Sequence, residues 1–185
     1  MLTHALVLSL MAASGGDRME PRLRGDIGLA FSAGFSPAPY VGGFSPGIDA
    51  AIGATFGDKY GLVARFTGGT IGISTSFAVD LAFELALHEQ LFLSAGLGFG
   101  AVGGGVFNPN FPMSQFVIAP ARLTYMFARR HPEHRTRQGF AIFLELAPGL
   151  VVRNAPGAPG PHPPAAVVVS PFAGMGAIGV TYSWK

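Results

Sequence analysis

The sequence predicts an all-β fold: a closed, antiparallel, up-and-down transmembrane β-barrel of about eight strands. Large apolar residues alternate with small or polar ones over segments of about ten residues, which is typical of strands with one lipid-facing side. Charged residues make up 12% of the 185 residues, against about 25% in globular domains, and hydrophobic residues make up 49%. No apolar run reaches the roughly 20 residues of a spanning helix, and 27 Gly and 15 Pro disfavour helices. A membrane chain without helices must close into a barrel to satisfy its backbone.

Residues 1–16 are predicted to be a signal peptide that precedes a barrel domain over residues 24–185. An apolar stretch from Ala5 to Met11 is followed by small residues from Ala12 to Gly16, where cleavage is expected. The basic residue that usually opens a signal peptide is missing, so a short buried or disordered N-terminal segment is the alternative.

The first four strands are predicted at 25–35, 48–57, 60–67 and 71–87. Their outward side chains share one parity, and the inward ones are small or polar. The outward set comprises Ile27, Leu29, Phe31, Phe35, Ile48, Ile52, Phe56, Leu62, Phe66, Ile71, Ile73, Phe77, Val79, Leu81, Phe83, Leu85 and Leu87.

The last four strands are predicted at 91–101, 116–128, 140–152 and 172–185, with the same alternation. Their outward set comprises Leu91, Leu93, Leu97, Phe99, Val117, Leu123, Tyr125, Phe127, Phe140, Ile142, Leu144, Leu146, Leu150, Phe172, Ile178, Val180, Tyr182 and Trp184. Eight strands of consistent parity match the even strand number of bacterial barrels.

The connections alternate in length, as the two ends of such a barrel do. Short turns are predicted at 57–59 and 88–90, and longer loops at 36–46, 104–113 and 154–164. The short-turn end, with both termini, is expected to face the periplasm. The short connection at 67–70 and the long one at 129–139 depart from this alternation.

Seven charged residues within the predicted strands point inward and form a predicted lumen charge network of Asp26, Asp49, Arg65, Asp80, Glu84, Arg122 and Glu145, and no charged residue of these strands points outward. Such placement is typical of a membrane barrel, because Arg or Lys facing lipid at mid-membrane costs about 2–4 kcal/mol. A soluble ligand-binding barrel would show the reverse alternation and is the alternative fold. We expect Arg65 and Arg122 to pair with these acids, with Asp80 and Glu84 as the first partners. The network is either a hydrogen-bonded plug or, since acids outnumber arginines, a narrow cation-preferring conduit.

The last strand carries alternating apolar residues at Ile178, Val180, Tyr182 and Trp184, followed by Lys185. With the strand spacing and loop alternation, this chain end resembles the small OmpA-like and OmpW-like outer-membrane barrels of Gram-negative bacteria. The resemblance is architectural and covers residues 24–185. It implies an outer-membrane location among lipid and lipopolysaccharide, and recognition of the last strand by the barrel assembly machinery.

Three prolines, Pro120, Pro148 and Pro171, fall in adjacent predicted strands of a barrel that has no edges. Proline cannot donate a ladder hydrogen bond, so each requires a local bulge or a weakened position. The first hypothesis is bending of the strands. The second is a lateral seam through which lipids or small apolar solutes pass.

Three function classes remain open: a structural or porin-like barrel, a transporter of apolar solutes, and a lipid-modifying enzyme. The resemblance includes two lipid A-modifying barrel enzymes that use a His and a Ser. Here the histidines, His4, His88, His131, His134 and His162, have no nearby Ser in mid-strand and no metal-ligand spacing. We therefore predict no enzymatic activity, no cofactor, no metal and no nucleic-acid binding. The basic segment 129–139 is either solvated or a contact for a periplasmic partner or peptidoglycan.

Overall fold

The computed structural model describes residues 21–37, 40–70, 74–104, 113–127, 137–153 and 172–185. The predicted signal peptide 1–16, residues 105–112 of the predicted loop 104–113, the whole predicted loop 154–164 and Pro171 lie outside these ranges. So do residues 129–136 of the basic segment. Within the described residues, no helix is long and apolar enough to cross a membrane.

Nine strands follow one another along the described chain, each antiparallel to its neighbours. They are β1 (Pro21–Pro37), β2 (Tyr40–Phe56), β3 (Tyr60–Thr70), β4 (Thr75–Ala86), β5 (Leu91–Gly103), β6 (Met113–Ile118), β7 (Ala121–Met126), β8 (Gln138–Arg153) and β9 (Phe172–Trp184). Both β6 and β7 pair with β5 on one side and β8 on the other, so they are two halves of one wall strand.

The ring closes where the first strand meets the last. β1 pairs with β9 from Gly25↔Trp184 to Phe35↔Gly174, and every wall strand has two neighbours. A closed antiparallel barrel with eight wall positions is therefore confirmed, and closure leaves no unpaired edge.

The first hairpin is longer than predicted. β1 begins at Pro21 and runs to Pro37, and β2 begins at Tyr40, so the predicted loop 36–46 is wrong for most of its length. Strand alternation continues through this segment: Phe44 is exposed, and the next residue, Ser45, is buried inside the barrel. The Gly, Pro and Ser residues of this segment are typical of loops, yet the segment pairs with its neighbour and continues both strands.

The outer wall is apolar in every wall strand, with the predicted parity. Exposed side chains include Leu29, Ile48, Leu62, Leu81, Leu97, Leu123, Leu144 and Ile178. Within the described residues, exposed charged or histidine side chains occur in the two short turns, at Asp58, Lys59, His88 and Glu89. Aromatic pairs Tyr60–Phe83, Tyr125–Phe127 and Phe140–Tyr182 lie near that end, as in the interfacial girdles of membrane barrels.

The two ends of the barrel are named here by their connections. The turn end holds Pro21, the turns 57–59 and 87–90, and Lys185, whose backbone is hydrogen-bonded in both directions to Arg137. Gly57 adopts a φ of 62° in its turn, a conformation that glycine allows without strain. The far end is the opposite one, where β1 ends and β2 begins.

Candidate functional site

The interior of the barrel carries ion pairs that join opposite walls. Counted around the ring, β2 lies opposite the β6/β7 wall strand, β3 lies opposite β8, and β4 lies opposite β9. One ion pair joins each of these three pairs of strands, and we call them the cross-lumen pairs. Alternation places their side chains inside, and a barrel of eight strands is narrow enough for long side chains to meet across it.

The first cross-lumen pair joins Arg122 on β7 to Asp49 on β2. The Nη1 and Nη2 atoms of Arg122 donate to the two Asp49 carboxylate oxygens at 2.9 and 2.5 Å. Arg122 Nε also donates to Glu145 at 2.7 Å, and Nη2 donates to the Thr67 hydroxyl at 2.9 Å. The guanidinium carbon lies 3.8 Å from the centre of the Phe143 ring. This bidentate, charge-assisted arrangement fixes the guanidinium between the two walls.

The second cross-lumen pair joins Arg65 on β3 to Glu145 on β8. Arg65 Nη1 donates to Glu145 Oε2 at 3.1 Å, and Nη2 donates to the Ser94 hydroxyl at 2.8 Å. Asp80, the register neighbour of Arg65, lies 3.9 Å from Nη1 and has one oxygen without a hydrogen-bond partner. Glu145 thus bridges both arginines, so the first two cross-lumen pairs form one connected cluster.

The third cross-lumen pair joins Lys185, which follows β9, to Glu84 on β4. Lys185 Nζ donates to Glu84 Oε1 at 2.9 Å and Oε2 at 3.0 Å, and it sits 3.7 Å from the centre of the Phe92 ring. Arg24 on β1 also donates to Glu84 and, at 2.6 Å, to Asp26. This cluster crosses the lumen near the turn end.

The structure places all seven residues of the predicted network inside the barrel and buries them. Their partners differ in part from the predicted ones. Glu84 pairs with neither Arg65 nor Arg122, because it lies near the turn end and pairs there with Arg24 and Lys185.

Three basic residues of the interior are absent from the predicted network: Arg24, Arg137 and Lys185. Among the described residues the buried charged side chains are therefore five acids and five bases, and the predicted excess of acids is wrong. Parity alone could have revealed Arg24, two residues before Asp26, and Lys185, two residues after Ser183.

Neutral side chains line the far half of the described interior. Ser76 bonds the hydroxyls of Ser32 and Ser45 at 2.6 and 2.7 Å. Beside this serine cluster lies an apolar cluster of Ala78, Val102, Phe116, Ile118, Ala147, Ala173 and Met175. The Phe116 ring occupies the space beside Gly100, where a Cβ atom would lie 2.6 Å from it.

Two of the three prolines of the predicted seam lie in described residues, and each retains one ladder hydrogen bond. The Gly96 amide donates to the Pro120 carbonyl at 3.0 Å, and the Ala119 amide donates to the Pro148 carbonyl at 2.8 Å. Strand register is the same on both sides of Pro120, so no bulge lies there. The register shift falls instead between Gln115 and Phe116. Pro120 is buried inside and Pro148 faces outward, and a lateral opening between these strands stays a prediction.

The predicted assembly residues alternate as expected along β9. Ile178, Val180 and Tyr182 are exposed, and Trp184 is half-buried beside Gly25. Within the described ranges, no group of three or more His, Cys, Asp or Glu residues could hold a metal ion.

Structural comparison finds the attachment invasion locus protein Ail of Yersinia pestis, at 15% identity and a TM-score of 0.52, covering 89% of this chain and 99% of that one. The chain has the fold of a small eight-stranded outer-membrane β-barrel. Ail in complex with the heparin analogue sucrose octasulfate matches with the same coverage and a TM-score of 0.50. Neisserial surface protein A matches at 11% identity, a TM-score of 0.51, and 88% and 98% coverage. No protein-family model and no curated protein sequence matches the chain. At these identities the likeness concerns the fold alone, and it confirms the architectural resemblance inferred from the sequence.

Proposed function

We propose that this protein is a structural outer-membrane barrel of Gram-negative bacteria whose lumen is closed to ions. The observation that carries the proposal is the set of three cross-lumen pairs, each joining opposite walls through buried side chains. An ion entering this interior would have to displace charge-assisted hydrogen bonds that the side chains make to each other. The serine and apolar clusters lie in the far half of the lumen and support the proposal.

The main argument for a cation-preferring conduit, an excess of inward acids, does not hold. An excess of inward acids favoured a cation path, but the described interior is balanced between acids and bases. The enzyme alternative gains no support either, since His88, the one histidine in the described ranges, is exposed in a turn.

Planar-bilayer recording tests the closed lumen. We expect the folded protein to insert without discrete conductance steps in concentrated potassium chloride. The matched variant Arg122→Ala removes the side chain that bonds both Asp49 and Glu145, and we expect it to show small steps if it folds. Folding of both proteins is checked by the gel-mobility difference between heated and unheated samples. Steady cation-selective conductance of the unaltered protein would overturn the proposal.

We also propose an orientation, with the turn end facing the periplasm, as the short turns of such barrels do, and β9 presented there to the barrel assembly machinery. The chain has no cysteine, so Asp58→Cys introduces a single label site in an exposed turn. We expect a membrane-impermeant maleimide to label it only after the outer membrane is permeabilised. Labelling in intact cells would show the opposite orientation, with the turn end at the cell surface.

A further inference from the structure

The turn end of the barrel contains a cavity that the cross-lumen pairs do not fill. It is partly open to solvent, and its inner wall is formed by Phe92, Glu84 and Lys185. Its outer wall is formed by the turn 57–59 and by Arg22 and Tyr60. The cavity therefore lies between the plugged lumen and the rim of the barrel.

The lining of this cavity presents mostly hydrogen-bond donors. Four cationic side chains contribute to it, Arg22, Lys59, Arg137 and Lys185, against the two acids Asp58 and Glu84. Both Glu84 oxygens already accept hydrogen bonds from Lys185, and one of them also accepts from Arg24. Lys185 and Glu84 already pair with each other, and the remaining lining still carries more cations than acids, which favours an anionic ligand group that only accepts hydrogen bonds.

The cavity also lies at the level where a lipid headgroup would sit. Lys59 is exposed and directly precedes Tyr60, whose ring lies 5.8 Å from that of Phe83 in the aromatic girdle. Such girdles mark the membrane–water interface. The buried Arg137 extends the cation set inward, with its guanidinium carbon 5.6 Å from the Phe92 ring centre and its Nη1 atom bonded to the Glu89 carbonyl.

From this geometry we infer that the turn-end cavity is a binding site for a phosphate group, presented either by an anionic lipid or as a free phosphate. Lys59 and Arg137 are its principal donors, one at the rim and one at depth. The inference goes beyond the closed-barrel function and holds whether or not the lumen conducts.

Two titrations separate the sources of the phosphate. In the first, inorganic phosphate is titrated into the micelle-bound protein by calorimetry, with chloride at matched ionic strength as the blank. In the second, protein in phosphatidylcholine vesicles is compared with protein in vesicles that also contain phosphatidylglycerol, using fluorescence of Trp184. This residue is the single tryptophan of the chain and immediately precedes Lys185, which lines the cavity. Saturable binding in either arm supports the site and identifies the source.

Variants then locate the binding. Lys59→Gln changes an exposed turn residue, so folding is retained, and we expect it to weaken phosphate binding about tenfold. Arg137→Gln is expected to do the same at depth, and Arg153→Gln at the far end of β8 is the charge-matched control with unchanged affinity. Binding that falls equally in Arg153→Gln and Lys59→Gln, or no saturable response in either arm, overturns the inference.

Discussion

Removing Arg122 tests the energetic role of the cross-lumen pairs. Arg122 makes four hydrogen bonds to Asp49, Glu145 and Thr67. In Arg122→Met, Glu145 keeps its bond from Arg65, whereas Asp49 keeps only the 2.6 Å bond from the Thr67 hydroxyl. The variant thus leaves one fully buried carboxylate without a counter-charge.

The expected loss can be placed within a known range. Breaking a buried ion pair from one side costs about 3–5 kcal/mol. Because Asp49 keeps a hydroxyl donor, we expect a loss near the lower end, about 3 kcal/mol. Arg122→Lys keeps the charge but not the bidentate geometry, and it should lose less.

A double-mutant cycle isolates the pair itself. Asp49→Asn alone leaves Arg122 bonded to Glu145, and the double variant Asp49→Asn/Arg122→Met removes both charges. We expect the double variant to lose less than the sum of the single losses, by about 1–3 kcal/mol. Free energies of unfolding come from reversible urea titration in lipid vesicles, followed by Trp184 emission. A loss under about 1 kcal/mol for Arg122→Met, or a coupling energy near zero, would refute the reasoning.

Three further predictions concern the wall and the packing. Leu81→Arg should lower folding yield in vesicles at a cost of about 2–4 kcal/mol, whereas the control Leu23→Arg near the turn end should cost at most about 1 kcal/mol; equal yields would mean that the wall faces are misassigned. Gly100→Ala should lower the free energy of unfolding in urea by about 1–3 kcal/mol, because the added methyl group overpacks the Phe116 ring, and adding Phe116→Leu should recover part of the loss, so an unchanged free energy of unfolding would contradict the packing. Pro148→Ala should create an amide that exchanges slowly with deuterium. The Pro148 carbonyl already accepts a hydrogen bond from the Ala119 amide, so the new amide lies at a paired position of the ladder, and rapid exchange would indicate an open lateral seam.

The wall of the barrel could be predicted from sequence because strand alternation is a local property. Whether Leu81 faces lipid and Asp80 faces the lumen depends only on parity along one strand. Parity also places Arg24 inside the barrel. It was not predicted because it lies just before the first predicted strand. The extra length of the first hairpin could not be predicted, because Gly, Pro and Ser are as common in loops as on the small-residue inner face of a strand.

The partners inside the lumen could not be predicted in this way. Arg65 faces Asp80 in the strand register, yet its closer carboxylate is Glu145 on the opposite wall. That choice depends on strand stagger, barrel width and the reach of a long side chain, and none of these is encoded locally. Lys185 shows the same limit, because its partner Glu84 lies 101 residues earlier in the chain.

The most direct measurement of the closed lumen is the exchange of the Arg122 Nε proton with water, observed by nitrogen-15 NMR of arginine-labelled protein in lipid nanodiscs. The signal is assigned by its disappearance in Arg122→Lys. Because Nε donates to Glu145 at 2.7 Å within a buried cluster, the account predicts slow exchange and a resolved signal at neutral pH. Exchange as fast as that of a solvent-exposed arginine would show that water fills the lumen and would contradict the closed barrel.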